Sequence, residues 1–336
     1  MVQRFFVVVR SVDRKINAPI GCSSLSGDFY ARTRIYKEWC GGKRNVQFRS
    51  KHLALCFALF LFLVKCLVGR RLRPRFLLNV FLVFMQILLS PAKKMHSSVP
   101  TSSFAVSTPH FLSQALDIAA HMSRYDGEEL ATILGTTARL GARAAMDFAA
   151  LLAEPKTAPA SLIYAGMAYQ HLRAEAFSAD EMDYAQAHLW ITSFLYGLNR
   201  PLDAIASYRL EGTVPAPGAE GRSLFDYWKP LLTDVLIESV QADDGVLLYL
   251  ASGEMKRLFD WARVERTVQV ISPEFRVMQG DKQKTIVVYA KMMRGALTRH
   301  VLTHRIVRPE DLRDFEYEGF APWGEDEIPR LWVCGG

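Results

Sequence analysis

The alternation of apolar and polar positions changes character at Met85. From there on, apolar runs of strand length alternate with helical periods, separated by Ser, Pro, Gly and Asp. That pattern predicts a mixed α/β (α+β) domain, a mixed sheet surrounded by helices, over residues 85–336. Gln86–Leu89 reads as the first strand, followed by a Ser/Thr/Pro-rich loop over 96–109. Helical spacing covers 111–122 and 128–153, the second helix broken near Gly141. Residues 161–164 read as a short strand. Ser178-Ala-Asp-Glu181 is a capping box, predicting a helix to about His188 and then an apolar strand over 189–194. Ser223-Leu-Phe-Asp226 caps a second helix reaching about Val240, and 246–250 is an apolar strand of the buried kind. Two strand-like stretches, 268–278 and 285–290, flank QGDKQK as a hairpin, and 291–305 is the last long helix.

Upstream of Met85 no regular period is long enough to define an element. Twelve apolar residues, 53–64, precede the basic run RRLRPR and a second apolar stretch over 76–89. The first run is shorter than the roughly 20 residues that span a bilayer, and the second contains Asn79. A secretory signal would lie nearer the N-terminus with a small-residue cleavage site. Charge separates the two parts. Residues 1–84 carry 16 Lys and Arg against 3 Asp and Glu, whereas 85–336 carry 25 against 31. The net charge of +7 therefore describes the leader, and the remainder is mildly acidic. Four of the five cysteines also lie in the leader, without CxxC spacing, so neither a zinc site nor a disulfide framework is indicated. The expectation is that 1–84 is an extension from an upstream start codon, not native or without fixed structure, with Met85 the working initiator. The alternative is an anchor or targeting segment, in which 53–89 would hold the protein to a membrane.

The first strand runs into Ser90-Pro-Ala-Lys93. Ser followed by Pro is a helix-entry signal, with Ser as N-cap and Pro at the first helical position. Amides freed at such an entry can hold an anion, and Lys93 would add charge. Ser-x-x-Lys is also the spacing of the penicillin-binding nucleophile, but the partner patterns SDN and KTG are absent. On the last helix, Lys291, Arg294, Thr298 and Arg305 fall within a stripe about 60° wide, with Arg299 to one side. Such a stripe is either a phosphate-binding patch or an ordinary solvated face. His300 and His304 have the i, i+4 spacing of a helical metal pair, but no third ligand accompanies them, so no metal and no cofactor are expected.

From Met85 onward the chain resembles the YaaA peroxide-stress-resistance family, whose members begin with an apolar strand and Ser-Pro-Ala-Lys. Further matches follow in the family's order: AEAFSADEMDYAQAHL (174–189), LYGLNRPLDAIASYRLE (195–211), SLFDYW (223–228), LAS (250–252), VVYAKMMRGALTRHVL (287–302) and EGF (318–320). Within the most specific of these, Tyr196, Gly197, Pro201 and Asp203 form the motif's frame, and Ser252 closes the LAS triplet. The chain also departs from the pattern. Ala165-Gly166-Met167-Ala168-Tyr169 stands where the family has Lys-Gly-Asp-Val-Tyr, Tyr249 where it has Asn, and Gly212 where it has Met.

The resemblance implies a cytoplasmic binding protein rather than an enzyme. It would bind double-stranded DNA without base readout and lower peroxide damage, in part by limiting free intracellular iron. The implied fold includes a helix-hairpin-helix-like element, most closely matched by 128–151 with Arg139 and Arg143. The cleft walls would carry Ser90, Lys93, Arg200, Arg209, Lys291, Arg294 and Arg299. A second hypothesis is an enzyme binding a nucleotide or nucleoside phosphate in the same cleft, with Ser90, Lys93, Tyr208 and Glu211 as catalytic candidates. Oligomeric state is left open.

Overall fold

A computed structural model describes residues 85–96, 104–218 and 221–335. The leader, with its apolar runs, and most of the Ser/Thr loop's first half lie outside the described residues. Strands β1 (Gln86–Leu89), β3 (Leu189–Ser193), β4 (Gly197–Asn199), β6 (Val246–Leu250) and β7 (Gln269–Ile271) form the main sheet, in the order β4-β3-β1-β6-β7. β1 pairs in parallel with β3 on one side and β6 on the other, and β7 is parallel to β6. Every residue of β1, β3 and β6 is buried. Parallel strands covered on both faces read as continuous apolar runs, which is why QILL, LWITS and VLLYL lack strict alternation. A hairpin returns β3 into β4, and Gly197 turns it with φ +68° beneath the Trp228 ring.

A second sheet has the order β10-β11-β8-β9, built from β8 (Glu274–Gln279), β9 (Lys282–Lys284), β10 (Phe320–Pro322) and β11 (Leu331–Cys334). A two-stranded ribbon joins β2 (Thr157–Pro159) to β5 (Ala204–Ala206). The helices are α1 (Leu112–Met122), α2 (Gly127–Ile133), α3 (Ala138–Ala153), α4 (Ala160–Ile163), α5 (Met167–Leu172), α6 (Ala179–His188), α7 (Leu224–Gln241), α8 (Trp261–Thr267) and α9 (Val287–His304). Both expected capping boxes form, at Ser178 with Glu181 and at Ser223 with Asp226. No helix among the described residues is long and apolar enough to cross a membrane.

Four local expectations are corrected. Ser90-Pro91 starts no helix, because the chain beyond it pairs with another segment. Ala165 N donates to Lys94 O at 2.9 Å and His96 N to Ile163 O at 2.8 Å. Residues 161–164 are not a strand but lie in and just after the single turn α4, where Ser161 N and Oγ both donate to Pro201 O. The long second helix breaks at Gly135 (φ +55°), between α2 and α3, and not at Gly141. Gly141 instead lies inside α3, where a Cβ would run into the Gly127 carbonyl and Ala131, so its missing side chain permits close helix packing. The hairpin's second arm is Lys282–Lys284, within the stretch expected to be its turn, and 287–290 opens α9.

Candidate functional site

β1 is the pivot of the main sheet. The chain leaves it for β3 on one side, and β6 on its other side leads away to β7. The carboxyl ends of β1 and β6 thus flank a topological switch point, the usual place for a ligand crevice in an open α/β sheet. A cavity of about 410 Å³ opens there. Its floor is the strand ends Leu89, Leu250 and Phe194, and one wall is the Ser90–Lys94 segment. Residues 166–169 of the α5 turn, the extended stretch 208–211 and α9 make the others.

Backbone and hydroxyl contacts fix these walls. Ser252 N donates to Ser90 Oγ at 2.8 Å, joining the ends of β6 and β1. Tyr169 OH donates to Ser90 O at 2.8 Å, and Tyr249 OH to Ser252 O at 2.5 Å. Ala92 lies against Gly166 so closely that a Cβ there would meet the Ala92 methyl at 2.7 Å. Beneath the cavity Tyr208 OH bridges Ser193 Oγ (2.7 Å) and Tyr164 OH (3.0 Å). Burial raises the phenols of Tyr164 and Tyr169 well above their ordinary value and raises Tyr208 too, so all three keep their protons.

α9 is seated by two devices. Gly295 passes directly over the Ala168 carbonyl, and Arg299 Nη1 donates to Leu172 O (3.1 Å) and Arg173 O (2.9 Å), capping the end of α5. This docking turns Lys291 and Arg294 toward the cavity. Lys93, Lys94, Arg209, Lys291 and Arg294 line it against only two carboxylates, Glu211 and Glu254. Lys93 Nζ meets Glu211 at 2.8 Å. That pair engages the Lys93 ammonium with Glu211, while Ser90 Oγ is taken up by Ser252 N. Desolvation lowers the Arg294 guanidinium from its ordinary value.

Of the residues nominated from sequence, Ser90, Lys93, Tyr208, Arg209, Glu211, Ser252, Lys291 and Arg294 converge on this cavity. Arg200 does not line it. Its guanidinium lies 3.4 Å over the Trp190 ring and donates to Gln86 Oε1, Leu189 O and Ser239 Oγ, at the opposite end of β1. Arg299 is committed to the α5 carbonyls. Arg139 and Arg143 lie on α3, Arg143 paired with Asp147 at 2.9 Å. Tyr196, Gly197, Pro201 and Asp203 build the scaffold. Tyr196 OH, its pKa pushed up to about 12 by burial, accepts from Ala206 N at 3.1 Å. Asp203 accepts from Arg200 N (2.8 Å) and Ser107 Oγ (2.7 Å). His304 Nδ1 turns back to His300 O, and the His300 ring lies 5.1 Å from Phe315.

Sequence reasoning missed Lys94, Glu254 and Met255 as lining residues, and the Tyr164–Tyr208–Ser193 chain. Lys94 adjoins Lys93 and could have been nominated with it. The tyrosine chain joins positions 44 and 15 residues apart and leaves no local signal.

The fold and site thus define a mixed α/β protein with a cation-lined crevice at the carboxyl ends of its central parallel strands. A family model described as peroxide stress protein YaaA matches residues 85–323, and the chain belongs to this family. A UPF0246 protein of Phocaeicola vulgatus is 46% identical over 238 residues, covering 70% of this chain and 93% of that protein. A UPF0246 protein of Porphyromonas gingivalis is 42% identical over 256 residues, covering 74% of this chain and 99% of that protein. One from Dinoroseobacter shibae is 35% identical over 255 residues, covering 74% and 94%.

Proposed function

We propose that this peroxide-stress protein binds the phosphate backbone of double-stranded DNA, with the cations of the crevice as its anchor. The observation that supports this is a contrast in charge. Residues 85–336 carry more acidic than basic side chains, yet the crevice gathers five cations against two carboxylates. Arg139 and Arg143, beside the Gly135 turn of the α2–α3 pair, would supply a second backbone contact of the helix-hairpin-helix kind. Neutralising backbone phosphates releases their condensed counterions. The family resemblance also links the protein to limiting free intracellular iron, which lowers the damage peroxide does. The protein would act in the cytoplasm.

Binding through all five cations gives a slope of about −4.5 in log K against log salt, so affinity should fall a few hundred-fold between about 50 and 200 mM salt. Anisotropy titrations of a labelled duplex measure this. Affinity unchanged across that range would refute the reading.

A second reading is favoured by the cavity's size. Its volume of about 410 Å³ is that of a small-ligand site. In that reading a nucleotide or nucleoside phosphate binds there, with the Glu211 carboxylate as the candidate for proton transfer. The Tyr208 phenol keeps its proton and is engaged by Ser193 Oγ and Tyr164 OH. A thermal-shift panel of nucleotides tests it, and no shift with any of them removes it.

A further inference from the structure

The cations of the crevice differ in what already holds them. Lys93 stands at the mouth, its side chain 69% exposed, and is engaged by Glu211, which is only 17% exposed. Arg209 and Arg294 are partly withdrawn from solvent, and among the described residues neither forms an ion pair with a carboxylate. Arg209 Nε is buried and has no hydrogen-bond partner among the described residues. Withdrawing a guanidinium from water without an anion beside it is unfavourable, and burial does lower the Arg294 guanidinium from its ordinary value. Both guanidiniums line the cavity, so an anion bound there would supply the counter-charge that they lack. Ser90 adds to this, since its Oγ accepts from Ser252 N and keeps its own proton to donate.

Charge and access together specify the ligand. Five cations against two carboxylates leave an excess of three positive charges. An internal phosphodiester offers one negative charge, whereas a phosphate monoester carries about 1.5–2 near neutral pH and presents three free oxygens. Guanidinium forks hold such oxygens in bidentate pairs. An internal phosphate is also flanked by nucleosides on both sides and remains at the surface of the duplex. A terminal phosphate has one free end and can enter a concave site.

We propose that the crevice selects a phosphate monoester, the phosphorylated end of a DNA strand or a free nucleoside monophosphate, over internal phosphodiesters. Arg209 and Arg294 grip the terminal oxygens, and Glu211 is the resting counter-anion that the ligand displaces from Lys93. This deepens the reading above and rests on the crevice being the phosphate-binding site.

The test uses two blunt duplexes of one sequence, one with 5′-phosphate and one with 5′-hydroxyl ends, with a nucleoside monophosphate and its nucleoside as competitors. The phosphorylated duplex should bind about tenfold tighter or more, as loss of one charge-assisted hydrogen bond would give. The monophosphate should compete and the nucleoside should not. Arg294→Gln should abolish the preference, and Lys93→Gln, at an exposed side chain that does not endanger folding, should reduce it. Glu211→Gln should tighten binding of both ends. Equal affinity for the two duplexes, with no competition by the monophosphate, overturns this inference while leaving backbone binding intact. Competition for a monophosphate probe without retention of either duplex at low salt keeps the inference, identifies the small ligand as the source and sinks the DNA reading. No response to any probe overturns both.

Discussion

Gly295→Ala tests whether α9 owes its placement to a close approach that only glycine allows. A Cβ at position 295 would fall inside the Ala168 carbonyl, 2.6 Å from its carbon and 2.9 Å from the Ala168 Cα. Carbon atoms in contact prefer about 3.5–4.0 Å, so α9 and α5 must part by roughly 1 Å. Arg299, one turn further along, ties the same helices through the Leu172 and Arg173 carbonyls and resists that movement. Two effects oppose each other. Alanine favours the helix over glycine by about 1 kcal/mol, and overpacking costs about 1–3 kcal/mol. The obstacle is main chain and cannot rotate aside, which puts the cost at the top of its range and the net loss near 2 kcal/mol. For a domain of this size that lowers Tm by roughly 4–8 °C. Arg294 is the neighbouring residue, so anion binding should weaken together with stability. Thermal and urea unfolding provide the assay, with Gly253→Ala as control because a Cβ there meets nothing within 4 Å. A Gly295→Ala variant that melts at or above the unaltered protein would show that helix propensity prevails and that the helix contact is not as close as described.

Two further outcomes are expected. Tyr208→Phe removes the bridge between Ser193 Oγ and Tyr164 OH, stranding a buried phenol. Urea unfolding should show a loss of about 1–3 kcal/mol, and no loss would mean that the hydroxyl chain contributes nothing. His300 titrates with the opposite sign to a histidine held by a carboxylate. Its folded pKa is held below the ordinary value by burial first and by His304 next, with Asp314 opposing. The unfolded chain therefore binds more protons between the two values, and the contribution to stability is full above about pH 6.5 and is lost as pH falls below it. Unfolding free energies at about pH 7.5 and 5.5 should differ less for His300→Gln, and an identical pH dependence in both proteins would refute this.

Much of the fold is legible locally. The two capping boxes satisfy their own amides, so Ser178 with Glu181 and Ser223 with Asp226 mark helix starts without help from the rest of the chain. The unbroken apolar runs of β1, β3 and β6 declare strands buried on both faces. Failures fall where a distant segment supplies the hydrogen bonds. Ser90-Pro91 has the chemistry of a helix start, but the backbone of 94–96 bonds to 163–165 instead. Ser161-Leu-Ile-Tyr164 has strand-forming residues, but Pro201 O draws both polar groups of Ser161 into a turn. The β-branched run at the start of α9 reads as extended, yet Val287 and Val288 form the helix's first turn and are exposed.

The candidate site divides in the same way. Family membership and the residue types able to hold phosphate follow from the sequence by itself, since a motif's order and spacing are properties of the chain. The destinations of the cations do not. Arg200 and Arg299 carry the same charge as Arg209 and Arg294, yet one stacks on Trp190 and the other caps α5, while Arg209 and Arg294 face the crevice. Neighbouring residues set an element's period and its caps. What a long charged side chain meets at its tip depends on segments up to two hundred positions away, and only packing brings those together.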